Sequence, residues 1–332
     1  MSTMMKAAFY DRTGPARDVL QLGEVPMPEP AAGELRVRLR WSGVNPSDVK
    51  ARAGLRSSVL PFERVVPHSD GMGVVDAVGA GVDPLRIGQR VWVWNAAWCR
   101  AFGTAAQCVV LPQCQAVALG DDVPDDAAAC FGIPALTALH AVLTDGGVAG
   151  KRVLVAGGAG AVGHYAVQFA RLLGAAQVLS TVSNAAKAGL ALAAGADTVI
   201  DYKAEDVAAR VREATQGQGI DRIVEVDIAA NATLDIELLR PGGEIVAYGS
   251  GAGQFQLPFF PLILKNLGLR FFIEYNLDDD DRARAETLLT RFLARGALQH
   301  QIAARLPLAQ IADAHELIEQ GRVVGNVVLQ ID

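Results

Sequence analysis

The sequence predicts an α/β protein in which a β-rich first third accompanies a doubly wound parallel sheet, and three observations predict it. The segment Lys151–Gly163 runs an apolar strand through a glycine turn, and His164–Arg171 continues it as an amphipathic helix. Past Pro124, apolar strands alternate with helical stretches, the texture of βαβ units. Between Lys6 and about Leu119, short alternating strands are broken by glycines and prolines. A chain of 332 residues suits about two domains, and 51% hydrophobic content suffices for buried cores.

Within the β-rich part, Glu34–Arg40 alternates apolar with charged residues, as a half-exposed strand does. Gly71–Gly79 and Gly88–Trp94 are further strands, bracketed by glycines and by Asp83-Pro84. Then come an Ala-rich helix over Asp125–Ala129, a second over Ala135–Leu143, and Val153–Ala156 as the first parallel strand. Further strands are expected at Gln177–Thr181, Thr198–Asp201, Arg222–Val226, Glu244–Tyr248 and Leu269–Tyr275, forming one open sheet with ligands at its carboxyl ends. The acidic run Asp278–Asp281 caps and charges a helix reaching Ala294. Residues after Gly296 are expected to return to the first domain.

Gly158, Gly160 and Gly163 fit G-x-G-x-x-G: one glycine for the tight turn, one for close approach of a pyrophosphate, one for helix–sheet contact. The strand before and the helix after make this a dinucleotide site, with N–H groups at the helix start holding phosphate. Strand Gln177–Thr181 ends without the Asp or Glu that would bind a ribose 2′-hydroxyl and repel a 2′-phosphate; Ser183 and Lys187 follow instead.

The net charge of −6 gives no basic footprint for nucleic acid or anionic lipid. The start Met1–Lys6 has no apolar leader core, and the apolar run Phe259–Leu264 is broken by Pro261, so no membrane span and a cytoplasmic location are expected. Cys99, Cys108, Cys114 and Cys130 are scattered without C-x-x-C spacing and read as buried, reduced thiols.

Several ordered motifs resemble the zinc-independent quinone oxidoreductase (zeta-crystallin-like) branch of the medium-chain dehydrogenase/reductase superfamily. They are Ser42–Asp48, Pro67–Val75, Gly132–Leu139, the glycine turn, Gly195–Asp197, Val246–Ser250, Ala314–Glu316 and Gly325–Leu329, nearly end to end. The resemblance implies a GroES-like β domain over 1–125 and 278–332, a Rossmann domain over 126–277, NADPH in the cleft, and a homodimer formed along the edge strand Leu269–Tyr275. It places Gly158, Gly160, Ala161, Val162, Gly163, Ser183, Lys187, Tyr202, Gly249, Ser250 and Asn326 on the cofactor, with Lys187, Tyr202 and Ser183 around the 2′-phosphate. Otherwise Lys187 is a solvated helix residue and Tyr202 a loop aromatic.

Zinc-dependent relatives carry Cys, His and Cys where Asn45, Ser69 and Ile133 stand here; an amide, a hydroxyl and an alkyl chain do not replace those ligands, which argues against an alcohol dehydrogenase. His68 is one residue out of register, and is either structural or substrate-lining. Hydride transfer to a quinone or an enone needs mostly positioning. Asn45 suits the developing oxyanion. The family often has Tyr five residues beyond that Asn; here it is Lys50, which either attracts a carboxylate or is a solvated rim lysine. Tyr248 lies near the nicotinamide or only packs, and Trp92, Trp94 and Trp98 are core or cleft wall. The expected activity is NADPH-dependent reduction of a quinone, with reduction of a C=C bond in an α,β-unsaturated carbonyl or 2-enoate second, and a non-catalytic NADPH-binding protein as a different class.

Overall fold

The computed structural model describes residues 3–55, 57–321 and 323–332; Met1 and Ser2, in the segment read for a leader, lie outside them. The chain divides into two compact units, Met1–Pro134 with Thr290–Asp332, and Ala135–Leu289. The first begins with strands β1 (Met4–Phe9), β2 (Gln21–Pro26), β3 (Glu34–Val44), β4 (Asp70–Val78), β5 (Arg90–Val93), β6 (Cys108–Pro112) and β7 (Ala116–Ala118). The second holds β8 (Arg152–Val155), β9 (Gln177–Val182), β10 (Thr198–Asp201), β11 (Ile220–Glu225), β12 (Leu239–Ala247) and β13 (Gly268–Phe271). β14 (Ile302–Pro307) and β15 (Asn326–Gln330) then complete the first.

β3 organises the β-rich unit, pairing antiparallel with β4, β6 and the returning β15. Its alternation works as the sequence predicts. Leu35, Val37 and Leu39 are buried, each stabilising by about 1.5–3 kcal/mol. Arg36 and Arg38 on the opposite face bind Asp76 of β4, at 2.8 and 3.1 Å.

In the other unit the six strands run parallel in the order β10-β9-β8-β11-β12-β13, so the direction of winding reverses between β8 and β11. Such a reversal opens a crevice at the carboxyl ends of the strands. Strands buried on both faces need near-continuous apolar runs, and Val153–Val155 and Ile223–Val224 supply them with at most 2% exposure.

The helices used below are α1 (Pro46–Arg52), α2 (Asp125–Ala128), α3 (Ala161–Leu172), α4 (Ala185–Ala193), α5 (Ile228–Leu238), α6 (Phe259–Leu264), α7 (Asp279–Ala294) and α8 (Ile311–Glu319). Asp278 caps α7 by accepting the Asp281 N–H at 2.8 Å, as expected.

Three expectations are corrected. The unit boundaries fall later in the chain than 125/126 and 277/278. α2 stays with the β-rich unit because Asp125 binds Arg40 and Arg90, at 3.0 and 2.5 Å, and Asp126 binds Arg305 at 2.7 Å. The start of α7 stays with the parallel sheet because Arg282 binds the buried Glu274. That ion pair also shortens the strand expected over Leu269–Tyr275: pairing ends at Phe271, and Glu274–Asn276 form a 3₁₀ turn. Among the cysteines, Cys108 and Cys130 are buried, whereas Cys99 and Cys114 are exposed.

Candidate functional site

Beyond Val155 the chain turns over residues 156–160 before entering α3. Gly157 has φ of 69°, in the left-handed region where a side chain is strained. Its N–H donates to Thr181 Oγ1 and that of Gly158 to the Thr181 carbonyl, both at 3.2 Å, which pins the turn to β9. A Cβ at Gly158 would strike Ser180 Oγ, and one at Gly163 would strike the Gly157 carbonyl. The cradle is therefore built at contact distance from bare backbone. Gly160 is the N-cap of α3, its carbonyl taking the His164 N–H at 2.9 Å. The N–H groups of Ala161, Val162 and Gly163 head the helix at the positive end of its dipole, a natural seat for phosphate.

The neighbouring strand end holds the residues expected at the 2′-phosphate. Lys187 Nζ lies 3.0 Å from Ser183 Oγ, because Asn184 caps α4 by accepting the Lys187 N–H at 3.0 Å and turns the first helical turn back over Ser183. Tyr202 follows β10, its N–H donating to the Val182 carbonyl at 3.0 Å, and is 53% exposed. The structure thus brings Ser183, Lys187 and the Tyr202 backbone to adjacent strand ends.

Beyond β12, Gly249 approaches the Val226 carbonyl so closely that a Cβ would collide with it, and its own carbonyl takes the Ile228 N–H at 3.2 Å. The Ser250 hydroxyl donates to Ala252 O at 2.6 Å and accepts the Ala252 N–H at 3.2 Å, shaping its own turn. Tyr248 donates its N–H to the Glu225 carbonyl at 3.1 Å, and its ring lies 6.5 Å from that of Phe272. Burial, then the charge of Glu225, pushes its phenol up, so Tyr248 stays protonated and is a poor proton donor.

The remaining candidates belong to the β-rich unit. Asn45 is the N-cap of α1, where the Asp48 carboxylate accepts its N–H at 2.8 Å; Pro46 at the first helical position suits that start. Its Nδ2 donates to Asp70 Oδ2 at 2.9 Å, and the same oxygen takes the Ile133 N–H at 3.0 Å. Asp70 thereby fixes the amide of Asn45. Lys50 is half-buried on the same short helix.

His68 differs from the substrate-lining expectation. It is fully buried with φ of 77°, its Nδ1 2.9 Å from Ser42 Oγ and its Nε2 2.9 Å from Nε2 of His315 on α8. Burial holds its pKa down at about 3, so both rings are neutral, one donating to the other. Both nitrogens serve the core. Asn326 likewise spends its amide inside this unit, donating from Nδ2 to the Gln301 carbonyl at 3.1 Å. Of the indoles, Trp92 and Trp94 are core and Trp98 is half-buried.

Sequence reading missed Thr181, which pins the glycine turn, and Asp70, which orients Asn45, although Asp70 lies inside the motif Pro67–Val75. It also missed Glu225 and Asp235, both buried at the carboxyl end of the parallel sheet. An acid closing an apolar strand, as Glu225 closes β11, is the one signal that marked them. Among the described residues, no group of three or more His, Cys, Asp and Glu is arranged to hold a metal ion, and no helix is long and apolar enough to cross a membrane.

Residues 31–132 match the family described as alcohol dehydrogenase GroES-like domain, and residues 161–294 the family described as zinc-binding dehydrogenase. A 2-haloacrylate reductase from a Burkholderia species is 30% identical over 341 residues, covering 98% of each chain. A quinone oxidoreductase from Pongo abelii is 27% identical over 331 residues, 98% of this chain and 97% of its own. A solved mycobacterial structure complexed with NADPH is 30% identical, with a TM-score of 0.86 over 98% of this chain and 99% of that one.

Proposed function

Because this chain belongs to the quinone oxidoreductase-like branch of the medium-chain dehydrogenase/reductase superfamily, we propose that it reduces a quinone at the expense of NADPH. It is an oxidoreductase and NADPH is its cofactor. The observation that carries the cofactor assignment to this chain's own residues is the pairing of Lys187 Nζ with Ser183 Oγ beside the glycine cradle, a cation and a hydroxyl suited to a phosphate. Tyr202 completes that cradle, Ala161, Val162 and Gly163 hold the pyrophosphate, and Gly249 and Ser250 are proposed to contact the rest of the dinucleotide.

Bound NADPH supplies the hydride. Asn45, with one Nδ2 hydrogen committed to Asp70, is proposed to offer the other to the acceptor oxygen as negative charge develops there. Solvent then protonates the product, since burial leaves Tyr248 a weak acid. We further propose that no zinc takes part, because the amide of Asn45, the hydroxyl of Ser69 and the alkyl chain of Ile133 do not make a tetrahedral donor set.

A second reading has specific support: the Burkholderia relative is a 2-haloacrylate reductase, a haloacrylate is a conjugated carboxylate, and Lys50 stands where the family often has Tyr. In that reading Lys50 binds the carboxylate of a 2-enoate and the hydride enters its β-carbon. The test is NADPH oxidation against quinones, enones and 2-enoates, with and without chelator. Turnover of quinones unaffected by chelator is expected; turnover of 2-enoates alone, lost selectively in Lys50→Tyr, would replace the first reading by the second. One zinc per chain with activity lost to chelator would overturn the metal-free mechanism. We propose also that the protein acts as a cytoplasmic homodimer, which the exposed apolar edge of the parallel sheet supports.

A further inference from the structure

β11 ends in Glu225, which is wholly buried, and α5 presents Asp235, 3% exposed, against it. Oε1 of Glu225 accepts the Asp227 N–H at 2.5 Å and Nδ2 of Asn231 at 3.0 Å. Oε2 of Glu225 and Oδ2 of Asp235 are buried without any N–H or hydroxyl donor, while the two carboxyl groups are within hydrogen-bonding reach of each other. Two neighbouring carboxyl groups, each with an oxygen removed from water and without a donor, are satisfied together only when one of them carries a proton.

We propose that Glu225 and Asp235 share a single proton, and that this acid–carboxylate pair positions the loop after β12 that carries Tyr248, Gly249 and Ser250. The second half rests on the reading that this loop contacts NADPH. The connections run through four hydrogen bonds. Glu225 takes the Tyr248 N–H on its backbone carbonyl and the Asp227 N–H on its side chain. Asp227 Oδ1 takes the Gly251 N–H at 2.7 Å, and Ile228 donates to the Gly249 carbonyl. Ionising both carboxyls would force one to turn away, releasing the 226–228 turn and the 248–251 loop together.

The groups facing the pair reinforce the sharing. Asp227 beside it is a further carboxylate, Tyr248 just past β12 is a phenol that burial, then the charge of Glu225, keeps protonated, and Asn231 on α5 is neutral. Burial first, then the charge of Glu225, holds the Asp235 carboxyl up at about 9. A carboxyl raised in the folded state contributes stability that is fully present at low pH and is lost as the pH rises through its folded value.

The test compares wild type with Asp235→Asn and Glu225→Gln, measuring the melting temperature of the protein alone and its NADPH affinity from neutral pH to above the Asp235 value. Each amide donates permanently across the pair, so neither variant has a shared proton to lose. Wild type is expected to lose melting temperature and to bind NADPH roughly fivefold or more weakly across this range, the low end of coupling between sites, while both variants stay flatter. Should one variant fail to fold, the other carries the comparison. Superimposable profiles of wild type and variants overturn the shared proton. A melting titration that depends on these residues, with NADPH bound equally tightly at all pH values, overturns the positioning role. The same titration with no NADPH binding even at neutral pH instead removes the cofactor reading and leaves the shared proton standing.

Discussion

Lys187 and Ser183 meet only because Asn184, between them in sequence, caps α4 and folds the first helical turn back. On the proposed cofactor reading, removing the ammonium deletes a charge-assisted contact to a 2′-phosphate that NADH lacks. Lys187→Ala should therefore cost roughly 1.5–3 kcal/mol of NADPH affinity, tenfold or more, and leave NADH binding unchanged. Fluorescence titration with both nucleotides checks this, and an unchanged NADPH/NADH ratio would make Lys187 a surface residue. The glycines of the turn are unequal in a way their spacing hides. A methyl group at Gly158 meets Ser180 Oγ head-on, whereas at Gly160 the nearest atom is the Gly157 carbonyl at 3.2 Å and φ is an ordinary −75°. Gly158→Ala should lower the melting temperature far more than Gly160→Ala, whose effect should appear in phosphate affinity. Equal losses in thermal melts would mean that the turn relaxes around the added carbon.

Between elements, the pair of His68 and His315 ties α8 to the segment that precedes β4. Burial depresses both rings below the ordinary histidine value of 6.5, and Arg52 adds its charge against protonating His315. A base depressed in the folded state contributes stability that is present above pH 6.5 and is lost as the pH falls towards the folded value, about 3 for His68. The protein should lose about 1.4 kcal/mol per pH unit for each such ring on acidification. His315→Gln, which leaves His68 a neutral partner, should melt at a temperature less sensitive to pH between neutrality and mild acid. An identical acid slope in wild type and variant would show that the buried His140 and His164, also depressed by desolvation, dominate instead.

For the molecule as a whole, the parallel sheet ends at β13, whose outer edge is unpaired among the described residues. Phe271 on that strand is 55% exposed, and Phe259, Phe260 and Leu264 on α6 are 66%, 69% and 77% exposed. Large apolar groups concentrated beside an open strand edge favour pairing with a second copy. Light scattering at micromolar concentration should give twice the chain mass, and Phe271→Lys should shift it towards monomer. A monomer mass for the unaltered chain would remove the dimer.

What the sequence determined by itself is whatever depends on local period and local sterics. Alternation set the inward face of β3, apolar runs set the parallel strands, and the glycine spacing set the tight turn before α3, because each is a property of neighbours in the chain. The grouping of Ser183 with Lys187 was legible only through the family resemblance, and the contact between them rests on the cap at Asn184. Tertiary structure alone decided the partners of buried polar groups. His68 reads as either structural or substrate-lining until His315, 247 positions away, takes its Nε2. Asn45 reads as an unencumbered amide until Asp70 claims one hydrogen. Leu269–Tyr275 reads as one long strand until Arg282 draws Glu274 into the interior. Low dielectric surroundings make an unpaired polar group costly, so each such side chain is committed by whichever partner the fold delivers, and no local pattern records which one that is.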